Sequence, residues 1–476
     1  MAQTLDKILE KYSPDEAEIT RGAFEFAQKI HDGQKRDSGE DYMIHPLKVA
    51  EILADLNLDY ETICAGLLHD VLEESNYRPE DLGKEFGPNI AFLVQSVSKL
   101  HRVSYSGEKG FAENFHKMIL ATAKDIRVVL IKLADRLHNL ETLGTFNGNK
   151  ERVAREALDV YAPLASRLGM GEIKGVLEDL AFPYVYPEDY KKLLDLVSAQ
   201  IAENKKYAES IKPAVEKILR DHNIKYITLN ARAKHLYSLW RKMQKYDFNL
   251  ERIYDLVALR IIVPDIATCY ETLGILHKYW APLPGRIKDF IALAKPNGYQ
   301  SLHTTVFCQE GKITEFQIRT PEMHANADYG IAAHWSYKEQ KIPLAKRYSW
   351  LKQLADWQQQ NMTSEDFWEH AKVDFFKDRI FVFTPKGDVM ELPEGATPVD
   401  FAYAVHSDLG DHCHQAKVNG RIMALDQALA DGDIVEIVVN KNHRPSRDWL
   451  KLVKTSKARS KIRERLKIGG SVTFRA

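Results

Sequence analysis

Four residues in the first third of the chain have the chemistry of metal ligands: His45, the adjacent pair His69 and Asp70, and Asp135. Two imidazoles with two carboxylates suit a divalent transition ion such as manganese, iron or zinc better than calcium, which prefers oxygen ligands. Glu73 follows His69 by four residues and Glu74 follows Asp70 by four, which returns both carboxylates to the ligands' side of a helix. His138 and Asn139 follow Asp135 by three and four. Each feature alone is commonplace: a His-Asp dipeptide is most often incidental, and a helical Asp most often caps or is solvated. Together, on an otherwise apolar pattern, they are hard to explain by packing, because buried carboxylates and imidazoles are costly unless paired or metal-bound.

A second set lies beyond residue 230. Arg232, Lys234, His235, Arg241 and Lys242 surround Ser238, and such groups can cradle a triphosphate by charge-assisted hydrogen bonds. No GxxxxGK[ST] sequence occurs, which argues against a P-loop. Asp255 closes a helical run just before a strand, a position for an exposed metal-binding carboxylate. The stretch 315–319 alternates, so Glu315, Gln317 and Arg319 share one strand face; alone, this is equally an edge strand with a solvated face. Lys295-Pro296-Asn297-Gly298-Tyr299-Gln300-Ser301-Leu302-His303-Thr304 supplies aromatic, amide and imidazole groups suited to stacking on a base and hydrogen bonding to it.

The elements that must position these groups change character along the chain. The first ~180 residues read as nearly all helix, with apolar residues at three- and four-residue spacing in 46–56, 60–74, 115–123 and 152–168. Punctuation falls at 37–39, 86–88 and 183–187. From about residue 224, strands are expected at 224–229, 258–263, 301–307 and 312–318 among helices, an α+β or α/β texture. A hairpin follows at 379–392, with further short strands at 416–418 and 434–439. Of the 476 residues 45% are hydrophobic and 28% charged, ordinary for a globular protein. No apolar run of 18 residues and no leader-like start is present, so neither a membrane span nor a signal peptide is expected. Cys64, Cys269, Cys308 and Cys413 form no CxxC pair and read as reduced cytosolic thiols. The net charge of −1 hides a run from Lys441 to Lys467 with eleven Lys/Arg against Asp448 and Glu464. That run is either a solvated helix face or an RNA contact.

Three of these stretches, Arg36–Glu40 with His45-Pro46, Leu68–Glu74 and Lys132–Asn139, resemble the HD-type hydrolase domain of long RelA/SpoT homologues. The resemblance implies that His45, His69, Asp70 and Asp135 hold manganese, and that Glu73 and Glu74 position or deprotonate the attacking water. Arg36 would neutralise the leaving pyrophosphate and Asn139 would contact the nucleotide. Glu74 stands where Asp is more usual, and Glu141 where a basic residue is common. The 295–304 motif resembles the synthetase signature of the same family. By that resemblance Arg232, Lys234, Ser238 and Lys242 hold the ATP phosphates, Arg232 and Arg260 flank adenine, and Asp255 and Glu315 bind magnesium. Glu315 would activate the 3′-hydroxyl of GDP or GTP, and Tyr299 would stack on guanine near Asn297, Gln300 and His303. Lys295, Gln317 and Arg319 complete the nucleotide-binding set. Arg286-Ile287-Lys288-Asp289 matches the RxKD form of bifunctional members, those that both make and hydrolyse (p)ppGpp. Ala231, Ala233 and Ala294 depart from the usual residues around these motifs.

Residues 379–439 resemble a TGS domain, a small β-grasp fold, through Phe383–Gly387, Leu392-Pro393, Thr397–Tyr403 and Val418–Gly420. In the family this module senses uncharged tRNA at the ribosome, and His406 matches a histidine near the tRNA acceptor end; read alone, His406 packs or hydrogen-bonds locally. The expected architecture is multidomain. It comprises an all-α HD-type domain (1–195), an α+β nucleotidyltransferase-like synthetase domain (196–343), a helical connector (344–377), a β-grasp TGS domain (378–440) and a basic helical tail (441–476). Long members continue into further domains, so a chain stopping at Ala476 is expected to be truncated.

Overall fold

The computed structural model describes residues 1–101, 107–232, 234–248, 253, 256–295, 297–334, 363, 368 and 379–467. Asp255 and most of the expected connector, 344–377, lie outside the described residues. The chain divides into two compact units, one of Met1–Arg102 and Ala121–Leu351, the other of Val103–Leu120 and Lys352–Ala476.

In the first unit the helix Arg127–Glu141 is buried on nearly all sides, from Val128 to Leu140, as a central bundle helix must be. Its entry is tied to a neighbour: Arg127 reaches Asp125 at 2.7 Å, Glu61 at 2.8 Å and Asp59 at 3.4 Å. Asp59 in turn caps the helix Tyr60–Leu68 by accepting from Thr62 N. The expected single helix over 60–74 breaks at His69 and Asp70 and resumes as Val71–Glu74. At the break, His69 Nδ1 turns back to Gly66 O and Asp70 accepts from Tyr42. The expected helix over 152–168 contains a π turn, Ala157–Tyr161, immediately before Pro163, which lacks the N–H that a continuous α-helix needs. The helix Gly171–Val185 runs through Pro183, and Pro187–Asp221 runs unbroken across position 195.

Five strands follow: β1 (Thr228–Ala231), β2 (Ala258–Ile262), β3 (Lys288–Asp289), β4 (Leu302–Phe307) and β5 (Ile313–Arg319), in the order β1-β2-β5-β4-β3. Only β2 and β5 pair in parallel. The first strand starts later than expected because Ile224 belongs to the preceding helix end. Asn223 is left-handed (φ 56), Ile224 N donates to Leu219 O, and the Ile224 side chain is buried, as in a Schellman cap. Alternation divides the sheet's two faces. Leu259, Ile261, Phe316 and Ile318 pack with Ile211, Val215 and Leu219 of Pro187–Asp221. The other face carries one cross-strand row: Asn230 beside Arg260, Arg260 beside Gln317, Gln317 beside His303, His303 beside Lys288.

In the second unit β6 (Arg379–Phe383) and β7 (Val389–Pro393) form the expected hairpin, and β8 (Cys413–Val418), β9 (Arg421–Met423) and β10 (Val435–Val439) form a sheet ordered β10-β8-β9. A parallel bridge between Phe383 and Ile434 joins them. The basic tail is not separate from this fold. Trp449, Val453, Ala458 and Ile462 pack on Val399, Ala402 and Tyr403 of the helix Pro398–Val405. Asp400, fully buried, accepts from Thr397 N and Oγ1, Lys454 N, and Thr455 N and Oγ1. Asp400→Ala leaves these buried donors unpaired and is expected to destabilise the unit by on the order of 3 kcal/mol. Hydrogen exchange across 397–458 should accelerate; unchanged protection would show that Asp400 does not join the two segments.

Candidate functional site

Among the described residues of the first unit, two polar cavities gather the residues of interest. One, of about 500 Å³, is lined by Arg36, His45, Asp70, Glu73, Glu74, Asp135 and Asn139, so the structure brings together nearly all the residues singled out in the helical half. His69 lies fully buried beneath them. His45, His69 and Asp70 each bring a ligand atom within 4.8 Å of the others. Asp135 Oδ1 is 3.4 Å from His45 Nε2 and 4.0 Å from His69 Nε2.

Hydrogen bonding fixes which nitrogens carry lone pairs. His69 Nδ1 is 2.8 Å from Gly66 O, so it donates, and Nε2 is left as an acceptor with no hydrogen-bond partner. His138 Nδ1 lies 3.3 Å from Arg36 and 2.7 Å from His45 Nδ1. Arginine can only donate, so His138 Nδ1 accepts, His45 Nδ1 is the protonated nitrogen, and His45 Nε2 faces the carboxylates with its lone pair. Burial, with His45 and Arg36 nearby, pushes His138 down to about 3, which keeps it neutral. Burial lowers His69 too. The imidazoles of His45 and His69 and the Asp70 carboxylate thus come together at the cavity, with Asp135 Oδ1 beside them, a donor set that fits a divalent transition ion. Lys132 donates to Asp135 Oδ2 at 2.6 Å and Asn139 to Oδ1 at 2.6 Å. Burial opposes the Lys132 charge, but Asp135 holds its pKa above the ordinary value. Arg36 is aimed across the cavity by a turn in which Arg36 N donates to Glu40 O. It bonds Asn139 and Thr142, and Arg152 also faces the cavity. Glu141 is exposed and outside the lining. Tyr42 and Arg152 carried no sequence signal; Lys132 showed only as the first residue of the 132–139 stretch, and His138 only as a helical neighbour of Asp135.

The second cavity, about 530 Å³, is lined by Arg232, Lys234, Arg260, Asn297, Tyr299 and Arg319 among the expected residues. Behind them runs a hydrogen-bonded chain on the polar sheet face. His303 Nδ1 is 2.8 Å from Glu315 Oε1, which also accepts from Gln317 at 2.9 Å. Tyr299 Oη is 2.7 Å from His303 Nε2 and accepts from Arg319, which also donates to Gln317 Oε1. Burial lowers both His303 and Arg319. Lys295 Nζ lies 4.7 Å from the Phe290 ring centre and 5.5 Å from that of Tyr299. Gln300 is turned away to Ile291 O, and Ser238 donates to Glu178. Lys242, farther along the helix Leu236–Lys245, is not in the lining. Asp328 was not anticipated; it pairs with Arg260 at 3.4 Å and lies 3.8 Å from Arg319. Nor was the contribution of the first half of the chain. Asn297 donates to Ser166 O, and Gly330, at φ 56, fits so closely under Leu168 O that no Cβ could stand there.

In the second unit His406 is exposed, and its Nδ1 accepts from Asp408 N at the start of the helix Ser407–Asp411. The four cysteines are buried and unpaired, and no helix among the described residues is long and apolar enough to cross a membrane.

Residues 23–171 match the family model of the HD domain, 231–342 that of the region found in RelA / SpoT proteins, and 380–439 that of the TGS domain. The chain is 48% identical to a Myxococcus xanthus protein named GTP pyrophosphokinase, covering 95% of this chain and 61% of that one. It is 47% identical to an Aquifex aeolicus protein named guanosine-3′,5′-bis(diphosphate) 3′-pyrophosphohydrolase, covering 98% and 67%. It is 44% identical to the Escherichia coli bifunctional (p)ppGpp synthase/hydrolase SpoT, again covering 98% and 67%. The chain therefore spans roughly two thirds of the length of these relatives or less.

Because His138 fixes the orientation and tautomer of His45, His138→Ala is expected to weaken divalent-ion affinity on the order of 10- to 100-fold. Titration calorimetry with manganese as the probe reads this directly, and an unchanged affinity would contradict it.

Proposed function

This chain belongs to the RelA/SpoT family, and we propose that it both makes and hydrolyses (p)ppGpp, one reaction in each cavity. The clustering of His45, His69 and Asp70, with Asp135 Oδ1 beside them, carries the hydrolytic half of the reading. These four side chains would hold a divalent ion, manganese on this reading, which would supply the Lewis acidity that makes water a competent nucleophile near neutral pH. Glu73 and Glu74, on the cavity wall, position that water or take its proton as its oxygen attacks the phosphorus joined to the ribose 3′-oxygen; that P–O bond breaks, the 3′-oxygen takes up a proton, and GDP or GTP parts from inorganic pyrophosphate. Arg36 and Arg152 face the charge that develops on the departing pyrophosphate, and Asn139 contacts the nucleotide.

In the second cavity Arg232, Lys234 and Arg260 bind ATP. Tyr299 and Asn297 receive guanine, with Lys295, His303, Gln317 and Arg319 around them. Glu315 and Asp255 would hold magnesium, which would neutralise charge on the triphosphate. Glu315 accepts the proton of the acceptor's 3′-hydroxyl, whose oxygen attacks the β-phosphorus of ATP. The bond from the β-phosphorus to the oxygen bridging to the α-phosphate breaks, and AMP leaves. Such a transfer asks mainly for in-line positioning and charge neutralisation.

The TGS module, through the exposed face of His406, and the basic tail contact uncharged tRNA on the ribosome. The enzyme works in the cytoplasm, where its nucleotide substrates and reduced thiols belong. Asp70→Ala is expected to abolish hydrolysis and leave synthesis, and Glu315→Gln to do the reverse, each loss being on the order of 100-fold or more. Separating guanine nucleotides by anion exchange reads both. Manganese-dependent hydrolysis surviving in Asp70→Ala, or transfer surviving in Glu315→Gln, would remove that residue from the mechanism.

A further inference from the structure

The segment carrying Arg232 and Lys234 is tied down at both ends, in different ways. At the near end Arg232 N donates to Ala258 O at 2.9 Å, continuing the pairing of β1 with β2. The far end is held from outside the sheet. Asp179, on Gly171–Val185, accepts from Tyr237 N at 2.9 Å through Oδ1 and lies 2.8 Å from His235 Nδ1 through Oδ2. Tyr237 is the second residue of Leu236–Lys245, whose own N-cap, His235, makes no side-chain cap. A carboxylate from another element thus takes the place of a capping side chain and meets the positive end of the helix dipole. One helical turn before Asp179 stands Gly175, where an added Cβ would overlap the His235 ring. The absence of a side chain there lets the imidazole lie flat against the helix. The hydrogen bond to Asp179 raises the pKa of His235, Glu172 adding to the effect and Arg232 opposing it.

We propose that Asp179 and His235 are positioning residues for the pyrophosphate donor, holding Arg232 and Lys234 so that their cations meet the ATP phosphates. The clamp comes from a helix outside the synthetase sheet, and Gly175 is required for it to close. This rests on the second cavity being the ATP site. Neither residue needs to touch the reacting atoms.

The test measures steady-state pyrophosphate transfer to GDP and calorimetric binding of magnesium-ATP, with the whole chain carrying His235→Ala, His235→Asn, Asp179→Asn or Gly175→Ala. His235→Ala and Gly175→Ala are expected to raise the KM and Kd for ATP about tenfold while kcat and the KM for GDP move by less than about threefold. His235→Asn, whose amide can donate from the place of Nδ1, should recover most of the affinity, and manganese-dependent hydrolysis should stay at the wild-type rate. Asp179→Asn should weaken ATP binding in the same direction. An unchanged or tightened ATP affinity in His235→Ala would overturn the proposal, as would equal loss in His235→Asn. Should Gly175→Ala fail to fold, His235→Ala decides alone, because it removes the contact without adding an atom. Wild-type protein that binds ATP but transfers nothing would contradict the synthetase reading instead, leaving the clamp to be judged by ATP binding.

Discussion

Carboxylates and imidazoles crowded together among buried side chains are costly unless each is paired or a cation stands between them. His45, His69, Asp70 and Asp135 impose that constraint on the first unit, and much of the surrounding structure follows from it. The helix that would run from Tyr60 to Glu74 breaks where His69 and Asp70 must turn inward. Each of the four is then held by a neighbour: Gly66 O for His69, His138 for His45, Tyr42 for Asp70, and Lys132 with Asn139 for Asp135. Supporting partners of this kind are what a metal site requires to fix its ligands.

The sheet site meets the same cost differently, by bonding its polar side chains to one another. Glu315 is matched to His303 and Gln317, Arg319 to Tyr299 and Gln317, and Arg260 to Asp328. Register makes this possible, since Arg260, Gln317 and His303 stand in one row across three strands. Gly171–Val185 packs against the central helix Arg127–Glu141 and also against Leu236–Lys245 and Pro321–Tyr329. The same helix therefore touches the scaffolds of both cavities.

Local patterns made much of this legible in the sequence. Strict alternation at Glu315, Gln317 and Arg319 placed those side chains on the polar face, and the hydrophobic partners Phe316 and Ile318 occupy the opposite core. The His69-Asp70 pair and the i+3 and i+4 neighbours of Asp135 gathered one cavity. What stayed hidden depends on contacts distant in sequence. Asp179 and Asp328 look like ordinary charges on helix faces, and only the tertiary fold sets them against His235 and Arg260. Ile224 reads as the start of a strand because it is apolar and β-branched, yet a left-handed Asn223 turns it into a helix cap. Pro183 reads as a break but is tolerated near the end of its helix.

The central claim is that one chain moves a pyrophosphoryl group onto guanosine nucleotide and takes it off again as an intact unit. Labelling tests it directly: ATP carrying label in the γ-phosphate is incubated with GDP, magnesium and the chain, the guanine nucleotide is isolated, and it is then returned to fresh chain with manganese. The account predicts label first in a guanosine nucleotide bearing a 3′-pyrophosphate, with AMP as co-product, and then in free inorganic pyrophosphate with GDP regenerated. Label that never reaches the guanine nucleotide, or that returns as orthophosphate, would contradict it.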